Sequence, residues 1–321
     1  MTTQVFNEQT VKDYIQIDSR FIPSIEQGYI KLSNGEATMP PIMRIDVPEH
    51  NGEVDIKSAY IPGFKGFAVK LSSGFFDNPK KGLPSGSGLM VLIDSETGQP
   101  QAVFLDNGHL TDIRTGIAGA IAAKHLSSNS EHTIGIVGIG KQARFQLRAI
   151  SQVKSLKQVY VYGRHTDSAQ QYADEMQQEL GITIHLAESV DQLANHVSIL
   201  VTTTPATEPI IHPDHLHPGI LIIAMGSDAE HKNEIAPSVL TQVDQVVCDS
   251  EQQCLRLGEL HHVDEQGLRD QLQQPVAEIG QIIQSPEQYN MTDKSTVLCD
   301  LTGTGAQDTA IALEAYSVLS G

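Results

Sequence analysis

From residue 133 onward, short β-branched apolar runs alternate with longer stretches in which apolar positions are spaced among polar ones. The runs are TIGIVG, QVYVYG, ITIHLA, VSILVTTT, ILIIAMG and QVVCD. This rhythm predicts βαβ units and a parallel sheet covered by helices. Before residue 127 the texture differs. An amphipathic opening around Val11, Tyr14, Phe21, Ile22 and Ile25 gives way to strand-like pieces punctuated by Pro and Gly: VDIKSAYI, GFAVKLS, LMVLID and QAVFLD. These predict a separate α+β domain. Between the two lies LTDIRTGIAGAIAAKHL, read as a helix with Thr111 as its N-cap and with Gly and Ala positions that permit close packing. The domain boundary is placed at its end. The segment STVLCDLTGTGAQDTAIALEAYSVL adds a strand, a Gly-containing turn and a terminal helix that is expected to return to the first domain. The predicted fold is α/β, with a Rossmann dinucleotide-binding domain over 127–299 and a discontinuous α+β domain over 1–126 with 300–321.

Composition narrows the functions. The 321 residues carry 21 Lys plus Arg against 39 Asp plus Glu, a formal charge of −18, so no basic surface for a phosphodiester backbone is present and no nucleic-acid partner is expected. The start, MTTQVFNEQTVKDY, lacks a basic stretch followed by an apolar run, and no unbroken apolar segment of roughly 18 residues occurs. A soluble, cytoplasmic protein with no membrane partner is expected. Cys248, Cys254 and Cys299 are odd in number and show no close CxxC spacing, which argues for buried reduced thiols over a disulfide framework or a zinc knuckle.

The strongest local motif is TIGIVGIGKQARFQL, where Gly138, Gly140 and Ala143 form GxGxxA between a strand and a helix. In that setting free backbone N–H groups and the helix dipole hold a dinucleotide pyrophosphate. Cofactor choice is read at the end of the second strand, at Tyr162, Gly163, Arg164 and His165. No carboxylate stands there for the ribose hydroxyls, and Arg164 is either a 2′-phosphate partner or a solvated surface residue, so the cofactor is NAD or NADP. After the fifth strand, AMGSDAEHKNE places Asp228 at the carboxyl edge of the sheet, as a general base toward an amine or as the N-cap of a following helix. In the first domain Arg44, Lys70 and Arg114 are conspicuous in a cation-poor chain, each a candidate for fixing a small carboxylate or an ordinary ion-pair partner. Asp55 either faces a substrate ammonium or pairs with one of them. His212, His215 and His217 fall in a Pro-containing connecting loop, so no metal site is expected there or at His261 and His262. No nucleophile elbow, P-loop or HExxH motif supports a hydrolase or kinase.

Taken together, MPPIMRIDVP, FAVKLSSGFF, LTDIRTGIAGAIAAKHL, GIVGIGKQA, VTTTPA, AMGSDAEHKNE and CDLTGTGAQDTA resemble the ornithine cyclodeaminase and mu-crystallin family over nearly the whole chain. The run from GEVDIKSAYIPG to GLMVLID resembles the branch labelled cyclodeaminase or ectoine-utilisation protein. The resemblance implies that Arg44, Lys70 and Arg114 hold the substrate carboxylate and that Asp228 is the catalytic acid. It places Asp55 where ornithine cyclodeaminase has a glutamate near the reacting amine, and counts Lys70 with Asp228 and Asp55 as catalytic. Gly138, Gly140, Lys141 and Gln142 match the turn over the pyrophosphate. Arg114, Thr204, Met225, Gly226, Ser227, Asp228, Lys232 and Gly303 match positions lining the cofactor, and Ser85 stands where the cyclodeaminase has a threonine. Gly163 departs from the acid of the NAD-specific ornithine enzyme, and Arg164 resembles NADP-using relatives. The implied activity is redox-neutral cyclisation of ornithine, lysine or 2,4-diaminobutyrate with loss of ammonia; the alternative is an imine reductase or amino-acid dehydrogenase on the same scaffold. The first domain is implied to bind a small amino-acid substrate and to join two subunits as a homodimer.

Overall fold

The computed structural model describes residues 2–127 and 131–321. It divides into two compact units, residues 1–114 with 304–321 and residues 115–303.

The amino-terminal unit begins with β1 (Gln4–Asn7), α1 (Glu8–Tyr14) and α2 (Ile22–Ser33). It continues through β2 (Met43–Val47), β3 (Gly52–Ser58), β4 (Gly66–Phe75), β5 (Gly86–Asp94) and β6 (Pro100–Leu105) to the first turns of α3 (His109–Leu126). The strands form one sheet in the order β1-β6-β5-β4-β3-β2. It is antiparallel apart from the β1–β6 pair. Alternation along the strands gives the sheet two different faces. On one, Ala68, Met90, Leu92, Ala102 and Phe104 are buried. On the other, Val54, Ile56, Val69, Leu71 and Val91 are only half-buried, and Met43, Ile45 and Leu105 are exposed.

The second unit contains β7 (Glu131–Val137), α4 (Lys141–Ser151), β8 (Ser155–Tyr162), α5 (Thr166–Leu180), β9 (Ile184–Leu186), α6 (Val190–Ala194), β10 (Ile199–Thr202) and β11 (Leu221–Ala224). Then follow α7 (Pro237–Leu240), β12 (Gln245–Cys248), α8 (Glu251–Leu257), α9 (Glu259–Glu265), β13 (Ala277–Glu278), α10 (Ile279–Gln284) and β14 (Val297–Asp300). All eight strands are parallel, in the order β13-β12-β14-β11-β10-β7-β8-β9. Chain order reverses between β7 and β10, which opens a crevice at their carboxyl ends. β10, β11, β12 and β14 are buried throughout, as a sheet covered on both faces requires. The terminal helix α11 (Gly305–Ser320) returns to the amino-terminal unit and packs on β4, β3 and α2. A Cβ at Gly305 would lie 2.4 Å from the Ser58 carbonyl carbon, so only glycine lets α11 start this close to β3.

Three local expectations are corrected. Thr111 lies inside α3, and the helix is capped instead by Asp106, whose carboxylate accepts from the Leu110 and Gly108 N–H groups. Burial pushes that carboxyl up to about 6. The division between units falls within α3 and after Gly303, not at residues 126 and 300. The reason is packing on both sides of residue 114: Arg114 pairs with Asp308 of α11, whereas Gly119 lies so close to α4 that a Cβ there would meet the Gln146 carboxamide. Finally, no helix follows Asp228 directly, so it is not an N-cap; the next helix starts at Pro237.

Candidate active site

The amino-terminal unit gathers charge on the buried face of its sheet. Lys57 and Lys70 are directly opposite each other on β3 and β4. Both are buried, at 7% and 2% exposure, as is Arg114 at 5%. Between them stands Asp308 in the first turn of α11, fully buried, with Oδ2 3.1 Å from Lys70 Nζ and Oδ1 accepting from Arg114 Nε at 2.9 Å. Burial opposes the charge of Asp308, but Lys70, Arg114 and Lys57 together hold its carboxyl below the ordinary value. For Lys70 burial dominates and, together with the repulsion of Arg114 and Lys57, outweighs the attraction of Asp308, which brings its ammonium down to about 7. Neither Lys57 nor Asp308 was singled out in the sequence. Alternation from Asp55 signals Lys57, since both lie on the same face of β3; nothing local signals Asp308.

Arg44 and Asp55 occupy the next cross-strand row of the same face. Arg44 bonds Asp46 at 2.9 Å and Glu53 more closely still, and its Nη1 lies 3.9 Å from Asp55 Oδ1. That oxygen of Asp55 is buried and makes no hydrogen bond. The structure thus joins Lys70 and Arg114 through Asp308 and sets Arg44 with Asp55 one row away. Ser85 lies outside both groups, exposed in the β4–β5 connection with its carbonyl accepting from Phe75 N–H.

In the second unit, Gly138 and Gly140 form the turn from β7 into α4. Gly138 has φ +104° and donates its N–H to the Tyr162 carbonyl; a Cβ there would lie 2.6 Å from Thr203 Oγ1. Gly140 is the N-cap of α4 without a side-chain cap, and its Cβ direction opens into empty space. Lys141 and Gln142 begin the helix behind it. Arg144 braces the turn, donating to the Ile139 and Gly140 carbonyls at 2.7 and 3.1 Å while pairing with Glu175. The turn opens on a crevice of about 520 Å³ lined by Gly138–Gly140, Tyr162–His165 and Thr203–Glu208. A backbone cradle at a helix N-terminus, with the side-chain volume missing where a pyrophosphate lies, fits a dinucleotide. Gly163 has a packing reason, since a Cβ there would lie 2.8 Å from Ile139 Cδ1. Arg164 stands exposed at the crevice rim with no ion-pair partner among the described residues.

The loops after β10 and β11 are tied together by a residue not identified from sequence. Glu234, fully buried, accepts from Thr202 Oγ1 at 2.7 Å, Thr204 N–H at 2.6 Å and Gly226 N–H at 2.8 Å. Burial raises its pKa against those bonds. Glu259 in turn accepts from the Glu234 and Ile235 N–H groups. Met225 N–H bonds the Thr202 carbonyl at 3.0 Å, and Ser227 donates to the Lys232 carbonyl at 2.7 Å. Asp228 is half-exposed at the tip and ion-paired with Lys232. Gly303, with φ +80°, donates to buried Asp249 at 2.6 Å beyond β14. His215 bonds Asp191 and the His212 N–H, and no cluster that could hold a metal occurs among the described residues. No helix among them is long and apolar enough to cross a membrane.

The sequence profile of the ornithine cyclodeaminase/mu-crystallin family matches residues 1–321. The chain belongs to that family. Among family relatives, it is 44% identical to an uncharacterized cyclodeaminase of Sinorhizobium fredii, covering 98% of this chain and 95% of that protein. It is 41% identical to a putative dehydrogenase of Rhizobium meliloti over the same shares. The Δ1-pyrroline-2-carboxylate reductase of Thermococcus litoralis, solved with NADH and L-proline, superposes with a TM-score of 0.90 at 28% identity, covering 98% of this chain and 97% of that one. The architecture is therefore that of the family, an α/β fold with a Rossmann domain and a second domain.

Proposed function

We propose that the protein is an NAD(P)-dependent cyclodeaminase that converts a small L-diamino acid (ornithine, lysine or 2,4-diaminobutyrate) to a cyclic imino acid and ammonia. The observation that carries this reading is the charge pattern on the buried sheet face: Lys57, Lys70 and Arg114 in one region and Asp55 one row along. Two residues on one strand face are about 7 Å apart, close to the span from the carboxylate to the distal amine of a diamino acid. Lys70 and Arg114 receive the carboxylate. Asp55 orients the distal ammonium, and Arg44 holds Asp55 in place. Asp228 accepts a proton from the reacting amine. Gly138, Gly140, Lys141 and Gln142 hold the pyrophosphate, Arg164 faces the adenosine ribose, and Thr204, Met225–Asp228, Lys232 and Gly303 line the nicotinamide side. When bound, the nicotinamide supplies reversible hydride transfer, so the overall reaction needs no external oxidant.

The half-exposed apolar sheet face supports a homodimer. A second copy presenting the same Met43, Ile45 and Val54 surface would cover it symmetrically.

A second reading, net reduction of a cyclic imine or oxidation of an amino acid, is supported by the names of the Rhizobium and Thermococcus relatives. Incubation with each diamino acid and NAD or NADP separates the two. Ammonia and a cyclic product without accumulating reduced cofactor support the cyclodeaminase; stoichiometric change at 340 nm supports net redox chemistry.

A further inference from the structure

One wall of the cofactor crevice is a segment without regular structure. Residues 203–210 carry no helix or strand, none of them is buried, and most of them line the crevice together with the glycine turn. Such a segment keeps its shape only through ties to something rigid. Here the ties converge on two neighbouring residues. The Asn233 N–H donates to the Ala206 carbonyl at 2.9 Å, and the Glu234 carbonyl accepts from the Ile210 and Ile211 N–H groups at 2.8 and 3.0 Å. The Glu234 carboxylate completes the set, taking the Thr204 N–H on Oε1 and both the Gly226 N–H and the Thr202 hydroxyl on Oε2. Gly226 lies in the loop after β11, and a Cβ on it would stand 2.2 Å from the Thr204 carbonyl oxygen and 2.4 Å from Glu234 Oε2, so glycine is what lets the two loops meet. Glu234 is itself held, since its own N–H and that of Ile235 donate to the Glu259 carboxylate at 2.9 and 3.2 Å. Both acids are fully buried.

We propose that Glu234 is a positioning residue for the dinucleotide, holding the 203–210 wall in its receiving shape before the cofactor arrives. This rests on the reading that Thr204 lines the cofactor site. A carboxylate suits the task because both of its oxygens only accept, so each takes a backbone N–H from a different loop. A carboxamide of the same size turns its NH2 towards one of those two N–H groups, and one tie is lost whichever way it is flipped. With the wall fixed in advance, binding does not have to order it, and affinity gains what the ordering would have cost.

The test is fluorescence titration of the intact protein with NADH and with NADPH, the tighter of the two serving as probe, paired with hydrogen exchange below the melting transition of each variant. Glu234→Gln should weaken the probe at least about tenfold. Without cofactor it should speed exchange over residues 203–211 and leave α4 as in the wild type, and saturating probe should restore the protection. A folded Glu234→Gln protein with wild-type affinity overturns the inference, since a merely structural carboxylate changes stability and not the affinity of the folded protein. Faster exchange spread evenly over the second unit, or none over 203–211, overturns it as well. Thr202→Val removes a donor to the same carboxylate but spares both backbone ties, and should cost no more than about threefold; a loss equal to that of Glu234→Gln is a third contrary result. If Glu234→Gln does not fold, the cofactor-free wild type decides. Its Thr204 and Gly226 amides should then be protected from exchange, and exchange at the rate of free amides overturns the inference. No binding of either dinucleotide by the wild type removes the cofactor reading itself, and the inference with it.

Discussion

Asp308 and Arg114 stand 194 positions apart in the chain and meet through a 2.9 Å bond between Oδ1 and Nε. The other carboxylate oxygen reaches Lys70, so one buried anion from the terminal helix organises two cations from different elements. Removing one partner of such a buried network leaves uncompensated charge. Asp308→Asn should therefore lose about 3–5 kcal/mol of stability, read as a fall in the denaturation midpoint. A change below about 0.5 kcal/mol, the range of ordinary surface substitutions, would show that Asp308 does not organise the pair.

Lys70 also makes stability depend on pH with a defined sign. Its folded value of about 7 lies below the 10.5 of a free lysine, so between those limits the unfolded chain binds more protons. Stability from this group rises with pH through that window, by at most about 1.4 kcal/mol per unit. Urea unfolding at pH 7, 8 and 9 should give a positive slope in the wild type relative to Lys70→Met. Parallel curves would contradict the burial of a titrating lysine.

The two glycines of the β7–α4 turn make opposite predictions. Gly140→Ala points a methyl into open space from an extended backbone, so the cofactor-free protein should keep its stability within about 0.5 kcal/mol while dinucleotide affinity falls at least about tenfold. Gly138→Ala meets Thr203 from a left-handed backbone and should lower stability itself, by about 1–3 kcal/mol. Melting curves with and without cofactor separate the cases.

Arg164 decides the cofactor if it faces the adenosine ribose. Arg164→Ala should weaken NADP by about tenfold and leave NAD within a factor of about two, as an exposed side chain without an ion-pair partner among the described residues allows. Equal weakening of both in fluorescence titrations would assign Arg164 a general role and not a 2′-phosphate role.

The parts of this protein legible in sequence are those governed by local rules. Strand rhythm identified the parallel sheet, and GxGxxA located the glycine turn between β7 and α4. Lys70 and Arg114 stood out because cations are scarce in this chain. What escaped depends on contacts between distant segments. Asp308 sits in an ordinary capped helix start and becomes a buried counter-ion only when α11 returns to β4. Glu234 and Glu259 look like surface acids until the loops after β10 and β11 close over them. β13 is two residues long and carries no periodic signal, and β14 inserts between β11 and β12 out of chain order. Thr111 has the right residue type for a cap, but the chain turns three residues earlier, at Gly108 with φ +82°.

The central claim is redox-neutral cyclisation of a diamino acid, and the fate of the α-hydrogen tests it most directly. Each of the three diamino acids, deuterated at the α-carbon, would be incubated with the protein and catalytic NAD or NADP, and the cyclic product examined by mass spectrometry. The account predicts ammonia release with deuterium retained at the α-carbon of the product and no reduced cofactor accumulating. Deuterium transferred to the cofactor until the added NAD or NADP is all in its reduced form, with a keto or imino acid as product, would contradict it and make the protein a dehydrogenase.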